Sequence, residues 1–484
     1  MRLSLLVLLS VPLLLQAQWQ TGWRSDTYAG INATFTNPAN PGRTPYAWDI
    51  NLGEASFFGA NNYAYLQNTS VGRLLRDRNN NTTFLFARDV PADLEKQDGL
   101  YVYDFLENSS YYAHIHASLM GPSASVRIAP QTRIGIFTRT QMRLDAVGID
   151  SDLGFYQWES IANEQPFTVD ETHIATAAWS EVGLNLSQGI TTASGTLIIG
   201  ATARRLWGHR AGYLASKKPF TLSKLPAAVG LEGLDFDIEG GFTNNAISDS
   251  IYVDSPGRGF AFDLGFLYQI DLGDGFYRWE LGASLIDAGN IRFLDAERHA
   301  FNNANFAQVL NDNYENLTVE DGVEEVVTQF SNDVLGNAQA SLIEETFTMR
   351  LPATIGLQAA YRFNEWVKVE ANLLVGLPST QAGMQRATLL AITPRLERHW
   401  WGLSVPVSLY AGKQLRMGLA ARLGPLFIGT DHLGSFFNDK QFTGTDVYMG
   451  VKLHPWGLSN GKSSRTTTFK SGKKRGKTVE CYKF

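Results

Sequence analysis

Three carboxylates, Asp235, Asp237 and Glu239, alternate with Phe236 and Ile238. Successive side chains of a strand point to opposite faces, so this spacing sets all three acids in one row. Same-face acids about 7 Å apart repel unless water, cations or arginines attend them. In a hydrated lumen Arg204, Arg362, Arg416 and Arg422 are the candidate counter-charges. Such a row could form a cation-selective constriction or a salt-bridged plug; ordinary lumen lining is the simpler reading. His114 and His116 also share a strand face, with Tyr112 in line. Two ligands without a third do not make a zinc site. Asp271 to Gly275 and Asn311 to Asn316 lack the closing glutamate of a calcium loop. The chain has no nucleophile elbow, His-Glu-x-x-His or phosphate-binding loop, and nothing fixes a carboxylate pair around a sugar cleft. These residues predict no catalytic site, no metal and no cofactor.

The elements that must carry such residues are legible from hydropathy. Val367, Val369, Ala371, Leu373 and Val375 share one face, and Lys368, Glu370 and Asn372 the other. Leu403, Val405, Val407, Leu409 and Ala411 repeat the pattern against Ser404, Pro406, Ser408 and Tyr410. The segments have about the ten-residue length of a tilted membrane strand. A water-soluble sandwich or propeller also has an oily and a wet face. Trp48, Tyr277, Trp366, Trp400, Trp401 and Trp456 near strand ends favour the membrane, as interfacial girdles would require.

The N-terminus agrees. Arg2 and the apolar run Leu3 to Leu15 read as a secretory signal cut near Ala17. Beyond it no 18-residue apolar run offers a membrane helix, although 44% of the 484 residues are hydrophobic. A mean hydropathy of −0.14 fits a barrel, whose polar lumen positions dilute every window. A net charge of −6 gives no electrostatic case for nucleic acid, and the single Cys481 excludes an internal disulfide framework.

The expected organisation is a signal peptide over 1–17, an irregular N-terminal segment over 18–45, a transmembrane antiparallel β-barrel over 46–456 and a basic tail over 457–484. Candidate strands lie near 46–58, 111–120, 123–139, 172–186, 194–206, 233–241, 259–270, 276–286, 350–363, 366–376, 387–397, 402–412, 414–429 and 444–453. That makes about fourteen, with Gly424-Pro425 able to split the thirteenth. Two excursions, 69–110 and 287–349, are too long for plain connections. The tail sets Lys462, Arg465, Lys470, Lys473, Lys474, Arg475, Lys477 and Lys483 against Glu480 alone. Lys473, Lys474, Arg475 and Lys477 are its candidate contacts to anionic lipid, cell wall or an acidic envelope protein.

Ser25 to Pro41, with Asn37-Pro38-Ala39, resembles the N-terminal hatch of the long-chain fatty-acid transporter family, fourteen-stranded barrels plugged by their N-terminus. Trp48 to Leu52, Leu119 to Ser123, Phe137 to Thr140, Ser284 to Asp287, Leu351 to Ala353 and Leu423 to Asp431 are similar to a group of uncharacterised Bacteroidota outer-membrane barrels. That group has relatives among type IX secretion and gliding components. The resemblance implies an outer-membrane barrel with a hatch at Asn37, Pro38 and Ala39. It leaves two functions open: a transporter or channel for small hydrophobic molecules, or an assembly component of an envelope complex.

Overall fold

In the computed structural model the described residues are 19–455 except 78–81, 92–98, 227–228, 246–254, 272–276, 315–316, 318–322, 380–381 and 438–439. The signal region, Trp456, Cys481 and the basic tail with Lys473, Lys474, Arg475 and Lys477 lie outside them.

Antiparallel strands close into one barrel. They are β1 (Trp48–Asn61), β2 (Ser110–Met120 continued by Ser123–Ala129), β3 (Thr132–Asp150), β4 (His173–Thr192) and β5 (Gly195–Ser216). Next come β6 (Gly230–Thr243, then Gly257–Asp271), β7 (Tyr277–Phe293, then Ala296–Leu310), β8 (Leu342–Glu344, Phe347–Arg350 and Thr354–Arg362) and β9 (Val367–Gly376). The last are β10 (Leu389–Glu397), β11 (Trp401–Ser404 and Val407–Tyr410), β12 (Gln414–Met417 and Leu419–Leu423), β13 (Leu426–Thr430) and β14 (Gly444–Leu453). β1 pairs with β14 from Ile50↔Leu453 to Ala60↔Gly444, which closes the ring and leaves no free edge there.

The two faces are those of a membrane barrel. Along β10, Leu390, Ile392 and Leu396 are 44%, 50% and 39% exposed, while Arg395 and Glu397 on the alternate face are buried. A sandwich in water would bury the leucines and expose the charges. Trp48, Trp279, Trp366, Trp400 and Trp401 stand outward beside the short turns. One end of the barrel has these short turns; the other has long loops.

Fourteen strands are present, but four of the expected segments are drawn differently. The segment 123–139 contains a turn at 130–131 and divides between β2 and β3. The segments 233–241 and 259–270 belong to one descending strand, because Phe242 pairs with Gly212 and Gly257 with Gly208 on the same neighbour. The segment 414–429 folds back at Gly424-Pro425, with Gly424 at φ +55°. The strand lost and the strand gained cancel. The excursion over 287–349 also begins too early: β7 continues to Leu310, and β8 resumes at Leu342.

Between them helix α1 (Val323–Leu335) packs Val334 and Phe330 against Phe236 and Phe301, capping an extension of β6 and β7 above the barrel. The other excursion forms a small sheet, Ala64–Gln67, Leu100–Phe105 and Thr83–Phe86.

Candidate functional site

The lumen is occupied by the chain's own N-terminal segment. Residues 19–44 are almost wholly buried and contain two 3-10 turns, Gly30–Phe35 and Asn40–Arg43. A segment rich in Asn, Gly, Pro and Thr makes few internal backbone bonds, so its polar groups must find partners on the wall. They do so on most sides.

Glu54 of β1 accepts from Gln20 Nε2 at 2.6 Å, from Arg24 Nη2 at 2.8 Å and from Asn32 Nδ2. Asp49 accepts from the Ile31 amide at 3.0 Å and pairs with Arg133 at 3.0 Å and Lys452 at 3.3 Å. Only a glycine fits at position 30, where φ is +58° and a Cβ would collide with Asp49 and Lys452. Two strands from β1, just past the end of β13, Asp431 accepts from the Thr21 amide and hydroxyl, both at 2.7 Å. Arg395 donates to the carbonyls of Gly22 (2.9 Å) and Thr21. Glu397 holds Thr27 through its amide at 3.2 Å and its hydroxyl at 2.7 Å. Arg43 crosses to Glu280 at 2.7 Å, and Lys368 bridges Glu280 (3.0 Å) and Glu370 (2.9 Å). Burial opposes the Arg43 charge, but Glu280 and Glu370 outweigh it and raise its pKa.

The tip of the segment is Asn37, Pro38 and Ala39. Asn37 Nδ2 donates to the Phe266 carbonyl at 3.0 Å and Gln358 Oε1 at 3.2 Å, and Asn185 donates to the Pro38 carbonyl at 3.0 Å. Ala39 packs on Ile198 and Leu267. The wall is hollowed to receive them: a Cβ at Gly200 would strike the Pro38 backbone, and one at Gly265 would strike Asn37 Oδ1.

Beside the segment lies a polar cavity of about 10 Å³, room for one water-sized occupant. Its lining includes Trp19, Phe35, Arg24, His116, Arg139, Arg204, Asp263, Asp287 and Arg386. Arg204 is its hub, pairing with Asp263 at 2.6 Å, Asp287 at 2.8 Å and Glu181 at 3.2 Å. Arg139 pairs with Glu181 at 2.7 Å and stacks over Phe35 at 3.9 Å. Arg386 reaches Asp287 at 2.8 Å and lies over Trp19.

The expected row of acids is not in this lumen. Asp235 has φ +64° at a register shift between Leu234 and Phe236, so the bulge breaks the alternation. Asp235 pairs with Lys218 at 2.5 Å. Glu239 accepts from Tyr213 at 2.7 Å, Arg298 at 2.9 Å and Lys217 at 2.7 Å. These residues and Asp237 belong to the extension, where Phe236 packs with Phe301 and Val334 beneath α1. The four arginines are lumenal but serve other partners. Arg204 holds the triad above, Arg362 meets Thr27 at 3.1 Å, Arg416 covers the Tyr410 ring and Arg422 binds the His399 carbonyl at 2.8 Å.

His114 and His116 pair with Asp145 (2.7 Å) and Gln141 (3.1 Å), and the described residues contain no cluster of three metal-ligating side chains. Glu54, Asp49, Asp431, Arg24 and Arg43 went unremarked in the sequence. The available signal was their placing: acids at wet-face positions of alternating strands, and two cations with a single acid, Asp26, in an irregular segment that is otherwise uncharged.

No curated protein sequence matches the chain. Among solved structures it is similar to the Pseudomonas putida toluene transporter TodX (11% identity, 88% of this chain and 93% of that one, TM-score 0.37). It is also similar to the CymD monoaromatic hydrocarbon channel (8%, 89% and 94%, 0.33) and to a Pseudomonas aeruginosa FadL homologue (8%, 91% and 96%, 0.22). These scores are too low to carry topology, and the barrel's architecture rests on its own strand pairs. Residues 38–431 match the family of unknown function DUF5723, and the chain belongs to that family.

Proposed function

We propose that the protein is an outer-membrane barrel in which residues 18–45 form a hatch, and that small molecules pass when the hatch yields. The carrying observation is the interface between segment and wall. Apart from apolar packing such as Trp23 on Phe427, it consists of hydrogen bonds and ion pairs to the lumenal wall, and the segment belongs to no strand of the barrel. Such contacts can be exchanged for water one by one, whereas a strand of the wall could leave only by opening the ladder. Short turns at one end and long loops at the other match the periplasmic and external sides of outer-membrane barrels. Small hydrophobic molecules are the first class to test, following the resemblance of Ser25 to Pro41 to fatty-acid transporters.

The test is uptake of a fluorescent long-chain fatty acid and of toluene into vesicles carrying the mature chain. Uptake above empty vesicles supports the reading. Equal uptake, in protein shown to be folded and inserted, refutes it.

A second reading has its own support. The extension of β6 and β7 with its α1 cap projects beyond the apolar wall and suits a partner. On this reading the barrel anchors an envelope, secretion or gliding complex, and Lys473, Lys474, Arg475 and Lys477 would contact an acidic protein, lipid or cell wall. Loss of a copurifying partner on removing 458–484 supports it.

A further inference from the structure

The outward face carries one charged feature that neither hatch nor extension uses. Arg205 of β5, Arg258 of β6, Arg292 of β7 and Arg350 of β8 come from four consecutive strands. Register makes them neighbours. Arg258 pairs directly with Arg292, Arg205 pairs with Phe260 two residues along from Arg258, and Arg350 pairs with Asn290 two residues along from Arg292. Arg258, Arg292 and Arg350 are exposed, and their side chains make no hydrogen bond or ion pair among the described residues. Arg205 lies over the Phe260 ring at 4.4 Å.

Like charges directly opposite on a sheet are destabilising, and an arginine facing hydrocarbon costs about 2–4 kcal/mol at mid-bilayer but little at the interface. The row sits at that interface. On its turn-end side the same strand shows Phe260, Phe262, Leu264 and Phe266, all about half exposed and outward. On its loop-end side begins the extension. Guanidinium groups bind phosphate by paired N–H donors, so one phosphate between Arg258 and Arg292 would turn a repulsive pair into a bridged one.

We infer that this row is a binding site for the phosphates of a lipid headgroup in the leaflet on the loop side, with the acyl chains lying along the phenylalanine face below. A lipid with two phosphates would engage all four arginines. The inference rests on the membrane placement and not on transport through the lumen.

The test uses the full mature chain in detergent and in nanodiscs, with native mass spectrometry as readout. The probes are a diphosphorylated disaccharide glycolipid, its dephosphorylated form and inorganic phosphate. The wild type retains the diphosphorylated lipid over the dephosphorylated one, and millimolar inorganic phosphate does not displace it. The variant Arg258→Gln/Arg292→Gln binds about thirtyfold more weakly, from the usual contribution of two basic residues at an anionic lipid surface. Arg398→Gln, at the turn end over Trp366, binds as wild type.

Equal binding by the double variant overturns the site. So does displacement by inorganic phosphate, which would make it a soluble-anion site. Failure of the wild type to insert into bilayers would remove the membrane placement itself, and is read separately by flotation.

Discussion

Replacing Glu54 by alanine should detach the N-terminal segment while sparing the barrel. The Glu54 side chain points into the lumen and takes no part in the strand ladder, so β1 keeps its pairing with β14 and β2. What is lost is an acceptor for Gln20, Arg24 and Asn32. Arg24 is only 2% exposed, and beyond Glu54 it has the Phe35 ring at 4.9 Å. Removing one partner of a buried pair costs about 3–5 kcal/mol, because the other charge stays uncompensated. A cation–π contact in a desolvated site returns about 2 kcal/mol or less. At about 3 kcal/mol net, opening of the segment becomes at least a hundredfold more frequent.

The assay is maleimide labelling of a thiol placed at the buried Thr34, in a chain where Cys481 is serine. Glu54→Ala should label at least a hundredfold faster than its parent, and Glu54→Gln at an intermediate rate, since a glutamine keeps one of the two acceptor oxygens. Both should keep the heat-dependent gel mobility of a closed barrel. Labelling no faster than in the parent would refute the reasoning, and global unfolding would mean that the segment and the barrel are one cooperative unit.

Three further outcomes are expected. Gly200→Leu should expel the tip of the segment, because its side chain would occupy the place of the Pro38 backbone; protease sensitivity confined to residues 18–45 is the readout. Acid should destabilise the fold through His399, His432 and His454, which lie in turns and loops. Burial lowers all three pKa values, that of His432 to about 3, with Arg416 adding to it. The unfolded chain then binds more protons below about pH 6.5, so stability falls between about pH 6.5 and 3. Urea midpoints measured at pH 7.5, 5.5 and 4 should decrease in that order, and His432→Gln should flatten the trend. Deleting 458–484 should leave a folded barrel, since β14 already closes the ring at Leu453; loss of membrane insertion would contradict this.

The period-two alternation made the wall legible in the sequence, because a half-buried strand in lipid must alternate whatever its neighbours do. Length and connection were less legible. The segment 123–139 reads as one strand because the turn at Pro130-Gln131 interrupts no alternation. β6 was divided in two because residues 244–256 leave the sheet and return to the same neighbour. The acids at 235–239 are separated by one bulge, which sets Asp235 apart from Asp237 and Glu239, and nothing in the residue types announces it. Ion-pair partners such as Arg24 with Glu54, or Arg43 with Glu280, join positions remote in sequence, so only the closed barrel brings them together. The outward row of arginines is intermediate. Arg258 reads as outward from Phe260 and Phe262, yet its meeting with Arg292 depends on register.

The proposed function requires that residues 18–45 close an otherwise open lumen. The most direct measurement is conductance of the mature chain in planar bilayers, with and without that segment. Silence or small steps are expected from the intact chain, and larger steps after deletion. Silence from both forms, in protein shown to be folded, would mean a permanently filled barrel and would contradict the hatch.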